Sequence, residues 1–223
     1  MNNRYIHHAH LSEVHFRKVL KLFCADVPAL TTGGLAGLSV QSTQRLYARL
    51  RRRILALAMA EARPFAGEVE IDESYFGARR VRGKRGRGAG GKTPVIGLLK
   101  RGGKVFTAIV ENCSKQERMP IIKGQVLSAT TVSTDGWKSS DGPVLGGYQH
   151  HRIHHHENQF ARGKNHVNGI ESFWSFTKLR LAKLRGIRPE FVPLHLKESE
   201  WRFNHRNDNL YRSLLKNLRS NPL

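Results

Sequence analysis

Three acidic residues, Asp72, Asp135 and Glu171, stand out by their positions and have the chemistry that metal-assisted cutting of nucleic acid requires. The two aspartates have 62 residues between them, and 35 residues lie between Asp135 and Glu171. Cleavage of a phosphodiester requires that the attacking and the departing oxygen both be stabilised, which two metal ions about 3.5–4 Å apart can do. Because Mg2+ prefers hard oxygen ligands, three converging carboxylates would make a suitable cage. We therefore predict that these acids are catalytic and bind two Mg2+ ions, which Mn2+ can replace.

Each acid also has a simpler explanation when it is taken alone. Asp72 has three rivals on the same predicted strand, where an exposed acid is commonly only solvated: Glu68, Glu70 and Glu73. Asp135 begins an Asp-Gly pair, which is common in turns, and Asp141 follows closely. Glu171 could serve only the positive end of a helix dipole. The prediction therefore depends on the three acids as a set, in the order strand, strand, helix.

The elements that would position these acids predict a mixed α/β domain. Alternating apolar residues and turn signals predict four strands, at 67–77, 94–99, 105–110 and 131–134, the last ending at Asp135. Apolar residues at helical spacing predict helices at 116–127, 168–184 and 192–204. Asp72 then lies within the first strand, and Glu171 lies in the first turn of the second of these helices. This order of elements predicts a mixed sheet with helices on both sides.

The first 63 residues are predicted to form a small helical DNA-binding region, followed by a catalytic domain over 64–223. A helix over 12–26, capped by Ser12, precedes a short apolar segment, a turn, and a long basic helix from Thr43 to about Ala62. This is the outline of a helix-turn-helix, whose last helix enters the major groove. The candidate DNA contacts of the long helix are Arg45, Arg49 and Arg52. The alternative is an ordinary helical hairpin whose arginines are only solvated.

The charge of the chain indicates a polyanionic partner, of which nucleic acid is the common case. Lys and Arg number 38 against 17 Asp and Glu, which gives a net charge of +21. The segment 77–93 is rich in Lys, Arg and Gly and is predicted to be a basic loop. Its candidate DNA-binding residues are Arg82, Lys84, Arg85 and Arg87. The alternative that charge allows is a basic protein of the ribosomal or chromatin type, which binds nucleic acid without catalysis.

Composition excludes several other classes of protein. The two cysteines, Cys24 and Cys113, form no C-x-x-C pair, so we expect neither a zinc ribbon nor a disulfide framework. This cysteine usage fits a reducing cytosol. The N-terminus lacks the apolar region of a signal peptide, and no apolar stretch is long enough to predict a membrane span.

The helix predicted over 168–184 carries cations on the same side as its glutamate. Glu171, Ser175, Lys178, Ala182 and Arg185 follow at intervals of four, three, four and three residues, so they would share one stripe. Lys178 and Arg185 could hold a DNA phosphate next to the metal ions. An intrahelical charge pair or a solvated lysine explains Lys178 equally well.

Histidines and aromatic residues near the acids carry weaker signals. Five histidines precede the glutamate helix: His150, His151, His154, His155 and His156. They could form a zinc site, but a basic strand and loop facing DNA is the hypothesis we favour. We expect packing roles for the aromatic residues close to the acids, which are Tyr75, Trp137 and Trp174.

The motifs around the three acids resemble those of the ISXO2-like transposases of bacterial insertion sequences. They are IDESYFG around Asp72, STDGW around Asp135, and HVNGIESFWSFTK around Glu171 and Lys178. The late segment LKESEWRFNHR resembles the same family, so the resemblance runs from about Gly67 to Arg206. It implies an RNase H-like fold, catalysis by the three acids with two Mg2+ ions, and contact of Lys178 with the terminal DNA.

The resemblance implies a transposase that cuts DNA at insertion-sequence ends and joins the freed 3′ hydroxyl to target DNA. Its partners would be the transposon ends and the target DNA, and synapsis of two ends implies a homodimer or larger assembly. The expected location is the bacterial cytoplasm, at the nucleoid. Two other functions remain open: an RNase H-like nuclease without strand transfer, and a non-catalytic basic DNA-binding protein.

Overall fold

The computed structural model describes residues 3–8, 10–77, 92–135, 147–153 and 168–223, without the side chains of 135 and 150–153. The helices of this described part are α1 (Glu13–Cys24), α2 (Ala29–Ala36), α3 (Val40–Glu61), α4 (Lys115–Gln125), α5 (Asn168–Ala182), α6 (Val192–Asn204) and α7 (Leu210–Ser220). Its strands are β1 (Glu68–Phe76), β2 (Thr93–Lys100), β3 (Val105–Ile109), β4 (Thr131–Asp135) and β5 (Gln149–Ile153). Across the described ranges, no helix has the length and apolar character needed to cross a membrane.

The chain divides into two compact units. The first comprises Met1–Ala60 together with His205–Leu223, and the second comprises Glu61–Asn204. The division expected from the sequence places 205–223 with the catalytic domain. In the structure this segment contains α7, whose Leu214 and Leu218 are fully buried, and which packs against α1. The last segment is therefore part of the helical unit, because the apolar stripe of α7 is buried there.

The second unit is built on a five-stranded mixed sheet with the strand order β3-β2-β1-β4-β5. β1, β2 and β3 are successive antiparallel neighbours, whereas β4 pairs in parallel with β1 and β5 in parallel with β4. This sheet confirms the predicted mixed α/β class and all four predicted strands. β5 is a fifth strand that apolar alternation does not predict, because its residues are polar and His-rich; it overlaps the basic strand favoured for the histidines that begin at His150.

Helices cover both faces of this sheet. On one face, Ile122 of α4 packs with Ile71 and Leu98, and on the other, Ile170 of α5 packs with Leu99. Residues of β1 alternate between these faces, as the two-residue period of a strand requires. The residues that contact α4 or its core are Val69, Ile71 and Glu73, and those bonded to α5 are Glu70 and Asp72. Asp72 thus lies on the side of the sheet that α5 covers.

The first unit is helical, as predicted for the N-terminal region. Ser12 caps α1 by accepting a hydrogen bond from the His15 amide at 3.3 Å, and the Ser39 hydroxyl caps α3 in the same way. The Gly33-Gly34 pair, a residue type that commonly interrupts helices, lies inside α2. At Gly33 a Cβ would lie 3.0 Å from the Leu38 carbonyl oxygen, so a glycine is needed for this close approach rather than for a turn.

The helix that carries Glu171 ends earlier than the sequence predicts. The predicted helix continues to Leu184, with Arg185 on the stripe of Glu171, but α5 ends at Ala182. Arg185 follows in a left-handed conformation with a φ of 53°, and its amide donates to the Ala182 carbonyl at 3.1 Å. The placement of Arg185 on the helical stripe is therefore wrong, because the chain has already turned away from the helix axis.

Candidate active site

Asp72 occupies the middle of β1, where the antiparallel register pairs it with Gly97 of β2. Its side chain is partly buried, and Oδ2 accepts a hydrogen bond from Nε1 of Trp174 at 3.1 Å. The predicted position of Asp72 within the first strand is confirmed. Trp174, for which the sequence predicts only packing, also contacts the candidate catalytic carboxylate.

The indole of Trp174 is held by its neighbours on the sheet and on α5. It lies edge-on to Phe76, with ring centroids 5.9 Å apart, and tilted against Phe173 at 5.0 Å. A Cβ at Gly97 would lie 2.5 Å from Cζ2 of the indole, so the ring occupies the space that any other residue would fill. A glycine inside an apolar strand commonly marks such a close approach. This is the sequence signal that could have revealed the site, and our sequence analysis missed it.

Glu70 connects the same face of β1 to the start of α5. Its Oε2 accepts a hydrogen bond from the Ile170 amide at 2.9 Å, although the side chain is only 1% exposed. The first amides of a helix have no partner within the helix, so a carboxylate there both satisfies a donor and meets the positive end of the dipole. Glu70 therefore binds the first turn of α5 at Ile170, the residue directly before Glu171.

The three rivals of Asp72 on β1 all contact arginines. Arg101 lies 2.5 Å from Glu68 and 3.3 Å from Glu70, and Arg118 lies 2.7 Å from Glu73. Glu73 and Arg118 lie on the α4 face of the sheet, away from α5. These three acids are therefore not merely solvated. Glu73 also lies on the opposite face of the sheet from α5, so it cannot share a site with Glu171.

Glu171 is exposed in the first turn of α5, as predicted. Ser175 and Lys178 continue the exposed side of the helix, while Ile170 and Trp174 belong to the buried side. Because residues three apart are neighbours on a helix, Glu171 lies one turn from the tryptophan that touches Asp72.

The parallel pairing of β1 with β4 brings the backbones of the two aspartates together. Ile71 pairs with Thr134, and the next residue of each strand is Asp72 and Asp135, respectively. Neighbouring strands lie about 4.8 Å apart, so the two backbone positions are adjacent. The predicted location of Asp135 at the end of the fourth strand is confirmed, while its side chain and its rival Asp141 lie outside the described part.

The described residues around this site have a donor chemistry that fits Mg2+. Carboxylate oxygens are the hard ligands that the ion prefers, and an outer hydrogen bond such as that from Trp174 commonly orients a ligating carboxylate. Among the side chains that the structure describes, no group of three or more His, Cys, Asp or Glu could hold a metal ion. The predicted metal-binding acids include Asp135, whose side chain is not among those that the structure describes. The zinc hypothesis concerns five histidines that the structure describes only in part. Of His150 and His151 only the backbone is described, and His154, His155 and His156 lie outside the described residues.

A buried charge network ties α5 to α6 behind the site. Glu198 of α6 is 1% exposed and pairs with Arg180 of α5 at 2.5 Å and with Arg202 at 2.9 Å. Glu200 accepts a hydrogen bond from the Thr107 amide at 2.7 Å, which joins α6 to β3. Because a buried charge without its partner is strongly destabilising, these contacts fix α5 on the sheet. The sequence alone does not reveal these contacts, because the residue type of a charged side chain does not show whether it is buried or solvated.

The basic residues predicted to bind DNA have different surroundings. On α3, Arg45 and Arg52 are exposed and Arg49 is partly buried; Arg49, Arg52 and Arg53 line a shallow depression of the first unit. Lys178 and Arg185 are exposed in the second unit. Four further candidates lie outside the described residues: Arg82, Lys84, Arg85 and Arg87.

Comparison with known proteins agrees with this fold and these motifs. Residues 64–204, nearly the whole second unit, match the model of the ISXO2-like transposase domain. Over 115 residues the chain is 39% identical to a protein of Haemophilus influenzae described as an uncharacterized transposase-like protein, and the match covers 52% of this chain and 93% of that protein. The chain therefore belongs to the ISXO2-like transposase family, as the resemblance in its motifs predicts.

Proposed function

We propose that the protein is a metal-dependent DNA transposase that cuts at insertion-sequence ends and joins them to target DNA. The observation that carries this proposal is the arrangement of the three predicted acids. Asp72 and Asp135 follow a registered residue pair on neighbouring parallel strands, and Glu171 lies in the first turn of the helix whose Trp174 bonds to Asp72. Family membership supports the same function.

In this proposal, Asp72, Asp135 and Glu171 hold the metal ions through their carboxylate oxygens. Two Mg2+ ions, or Mn2+ in their place, would supply charge stabilisation for the oxygens that enter and leave phosphorus. The rigid contacts of β1 with α5 keep the first and third acids in place, so that little reorganisation is needed when DNA binds. In a chain with a net charge of +21, such a group of acids would otherwise oppose DNA binding.

Two reactions at phosphorus account for the proposed activity. In the first, a water oxygen attacks phosphorus at the element's end, the bond from phosphorus to the 3′ oxygen breaks, and a 3′ hydroxyl forms with a proton from the water. In the second, that 3′ oxygen loses its proton and attacks a target phosphodiester. The target's own 3′ oxygen leaves and takes up a proton, so the number of phosphodiester bonds is unchanged.

The basic surfaces would hold the DNA for these reactions. We assign contact with the terminal DNA to Lys178, seven residues after Glu171 on the exposed side of α5, and to Arg185 beyond its end. In the first unit, α2 and α3 would act as a helix-turn-helix, with Arg45, Arg49 and Arg52 against phosphates or guanine edges. The segment 77–93 would add a further basic contact. Pairing of two transposon ends would require two or more copies of the chain, and the DNA substrates would place the activity at the bacterial nucleoid.

A strand-transfer assay tests this function. The full chain would be incubated with DNA of its own element's ends and a plasmid target, with Mg2+ or Mn2+, beside an Asp135→Asn variant that keeps the shape of the side chain. We expect metal-dependent joining by the parent protein, and DNA binding without cleavage by the variant.

The other outcomes identify the alternatives. Metal-dependent cleavage without joining would make the protein an RNase H-like nuclease. Binding without any metal-dependent product would leave a DNA-binding protein without catalysis. If Asp135→Asn cuts as the parent does, the assignment of the metal site is wrong.

A further inference from the structure

We propose that Trp174 is a positioning residue for Asp72: its indole N–H fixes the orientation in which the Asp72 carboxylate is presented to metal. This inference rests on the proposed function and adds to it a residue that does not itself touch metal or DNA. The finding behind it is the hydrogen bond of 3.1 Å from Nε1 of Trp174 to Oδ2 of Asp72.

The donor is unusually well placed for this role. An indole has one N–H and no acceptor, so its hydrogen bond fixes which group it can face. Trp174 is 4% exposed, and Phe76 and Phe173 contact its ring. Because the ring is enclosed, its N–H keeps one direction, and a carboxylate bonded to it loses most of its freedom to rotate.

Gly97 supplies the space that makes this arrangement possible. It pairs directly with Asp72 across the strands, and a Cβ there would lie 2.5 Å from Cζ2 and 2.8 Å from Cη2 of Trp174. The same Cβ would lie 3.0 Å from Cδ1 of Ile170, so a larger residue at this position would crowd a second side chain of α5 as well. The β2 residues on either side of Gly97 are apolar and branched. The glycine departs from this pattern and leaves room for the indole. Gly97, Trp174 and Asp72 therefore act as one group, although they come from three elements.

A purely structural role would predict a different behaviour. A buried indole needs some acceptor, and the nearest carboxylate can satisfy it without any effect on function. Under the positioning role, the bond also orients a metal ligand. Loss of such an outer contact commonly weakens metal binding by about 10–100-fold.

The test compares Trp174→Phe with Trp201→Phe in the full chain. Phenylalanine keeps an aromatic ring but removes the N–H donor, and Trp201 is a second buried tryptophan in the same unit, on α6. Mn2+ affinity would be measured by electron paramagnetic resonance in the absence of DNA, and folding by thermal unfolding. We expect at least about tenfold weaker Mn2+ binding for Trp174→Phe, with Trp201→Phe close to the parent.

A second variant separates positioning from loss of packing. Gly97→Ala should weaken Mn2+ binding in the parent, because the added methyl displaces the indole. In the Trp174→Phe background the same change should have a much smaller effect, since the two indole atoms that it would approach most closely are absent and only the contact of 3.0 Å with Ile170 remains. An additive loss from the two changes would contradict the coupling.

Two failures remain distinguishable. Parental Mn2+ affinity in Trp174→Phe, with binding still lost in Asp72→Asn, would overturn the positioning role and leave the proposed function intact. If Asp72→Asn binds Mn2+ as tightly as the parent protein does, the proposed metal site is wrong, and this inference is wrong with it.

Discussion

The carboxylate of Glu70 accepts a hydrogen bond from the amide of Ile170, a residue 100 positions later in the chain. This contact joins the first strand of the sheet to the helix that carries Glu171. Two residues further along β1, Asp72 bonds to Trp174 of the same helix. β1 therefore holds α5 at two points one helical turn apart, which determines both the axial position of the helix and its rotation.

Replacing Glu70 by alanine should destabilise the fold, because the Ile170 amide and Arg101 would lose a buried partner. The expected loss is about 1–3 kcal/mol in the free energy of unfolding, the usual cost of a buried polar group left unsatisfied. Chemical denaturation would measure it. Glu68→Ala is the matched control: Glu68 contacts the same Arg101 but is 49% exposed, so its loss should cost less than about 1 kcal/mol. Equal effects of the two changes would show that the buried contact with α5 is unimportant.

Gly169→Ala should lower stability even though alanine favours helices. A Cβ there would lie 2.9 Å from Oε2 of Glu70 and 3.0 Å from Cδ2 of Leu99, and neither group has room to retreat in the buried interface. Gly124 in α4 is the control, because a Cβ at that position would meet nothing within 4 Å. Gly124→Ala should raise stability by about 0.5–1 kcal/mol. A comparable gain from Gly169→Ala would mean that Glu70 does not approach the helix as closely as described.

Much of the fold follows from local patterns in the sequence. The alternation of Val69 and Ile71 predicts β1, and the helical spacing of Ile170 and Phe173 predicts α5, because these patterns reflect which side of each element is buried. Apolar patterns do not reveal β5 or α7, for opposite reasons. β5 is polar, so only its histidines indicated a basic strand there, whereas the apolar stripe of α7 is masked by the basic residues around it.

The candidate site is predictable only in part. Asp72, Asp135 and Glu171 are found from residue type, spacing and family resemblance. The role of Glu70 depends on a contact between elements far apart in the chain, which no local pattern specifies. Gly97 gives a local signal of a close approach, but that signal does not identify Trp174 as the group that approaches. Arg185 illustrates the same limit: its spacing from Glu171 is helical, but the helix ends before it.

Arg52→Ala should weaken DNA binding without loss of stability, because Arg52 is exposed on α3. If it contacts one phosphate, the slope of log affinity against log salt should fall by about 0.9. Its neighbour Arg53 provides the contrast, since Nη1 of Arg53 donates to the Asn221 carbonyl at 2.6 Å and its Nη2 to that of Pro222 at 3.1 Å. Arg53→Ala should therefore lower thermal stability of the first unit. Fluorescence anisotropy over a range of salt would measure binding, and an unchanged salt dependence for Arg52→Ala would remove α3 from the DNA interface.

Whether Asp72 is the catalytic acid of β1 can be decided by comparing Asp72→Asn with Glu68→Gln and Glu73→Gln. Each change removes one charge from the same strand and keeps the size of the side chain. The measurement is the rate of Mg2+-dependent cleavage of insertion-sequence end DNA by each full-length variant. We expect a loss of at least about a hundredfold for Asp72→Asn, the scale seen when one preorganised electrostatic group is removed, and rates near that of the parent for the other two. Near-parental cleavage by Asp72→Asn, or an equal loss in all three variants, would show that Asp72 is not the catalytic acid of this strand.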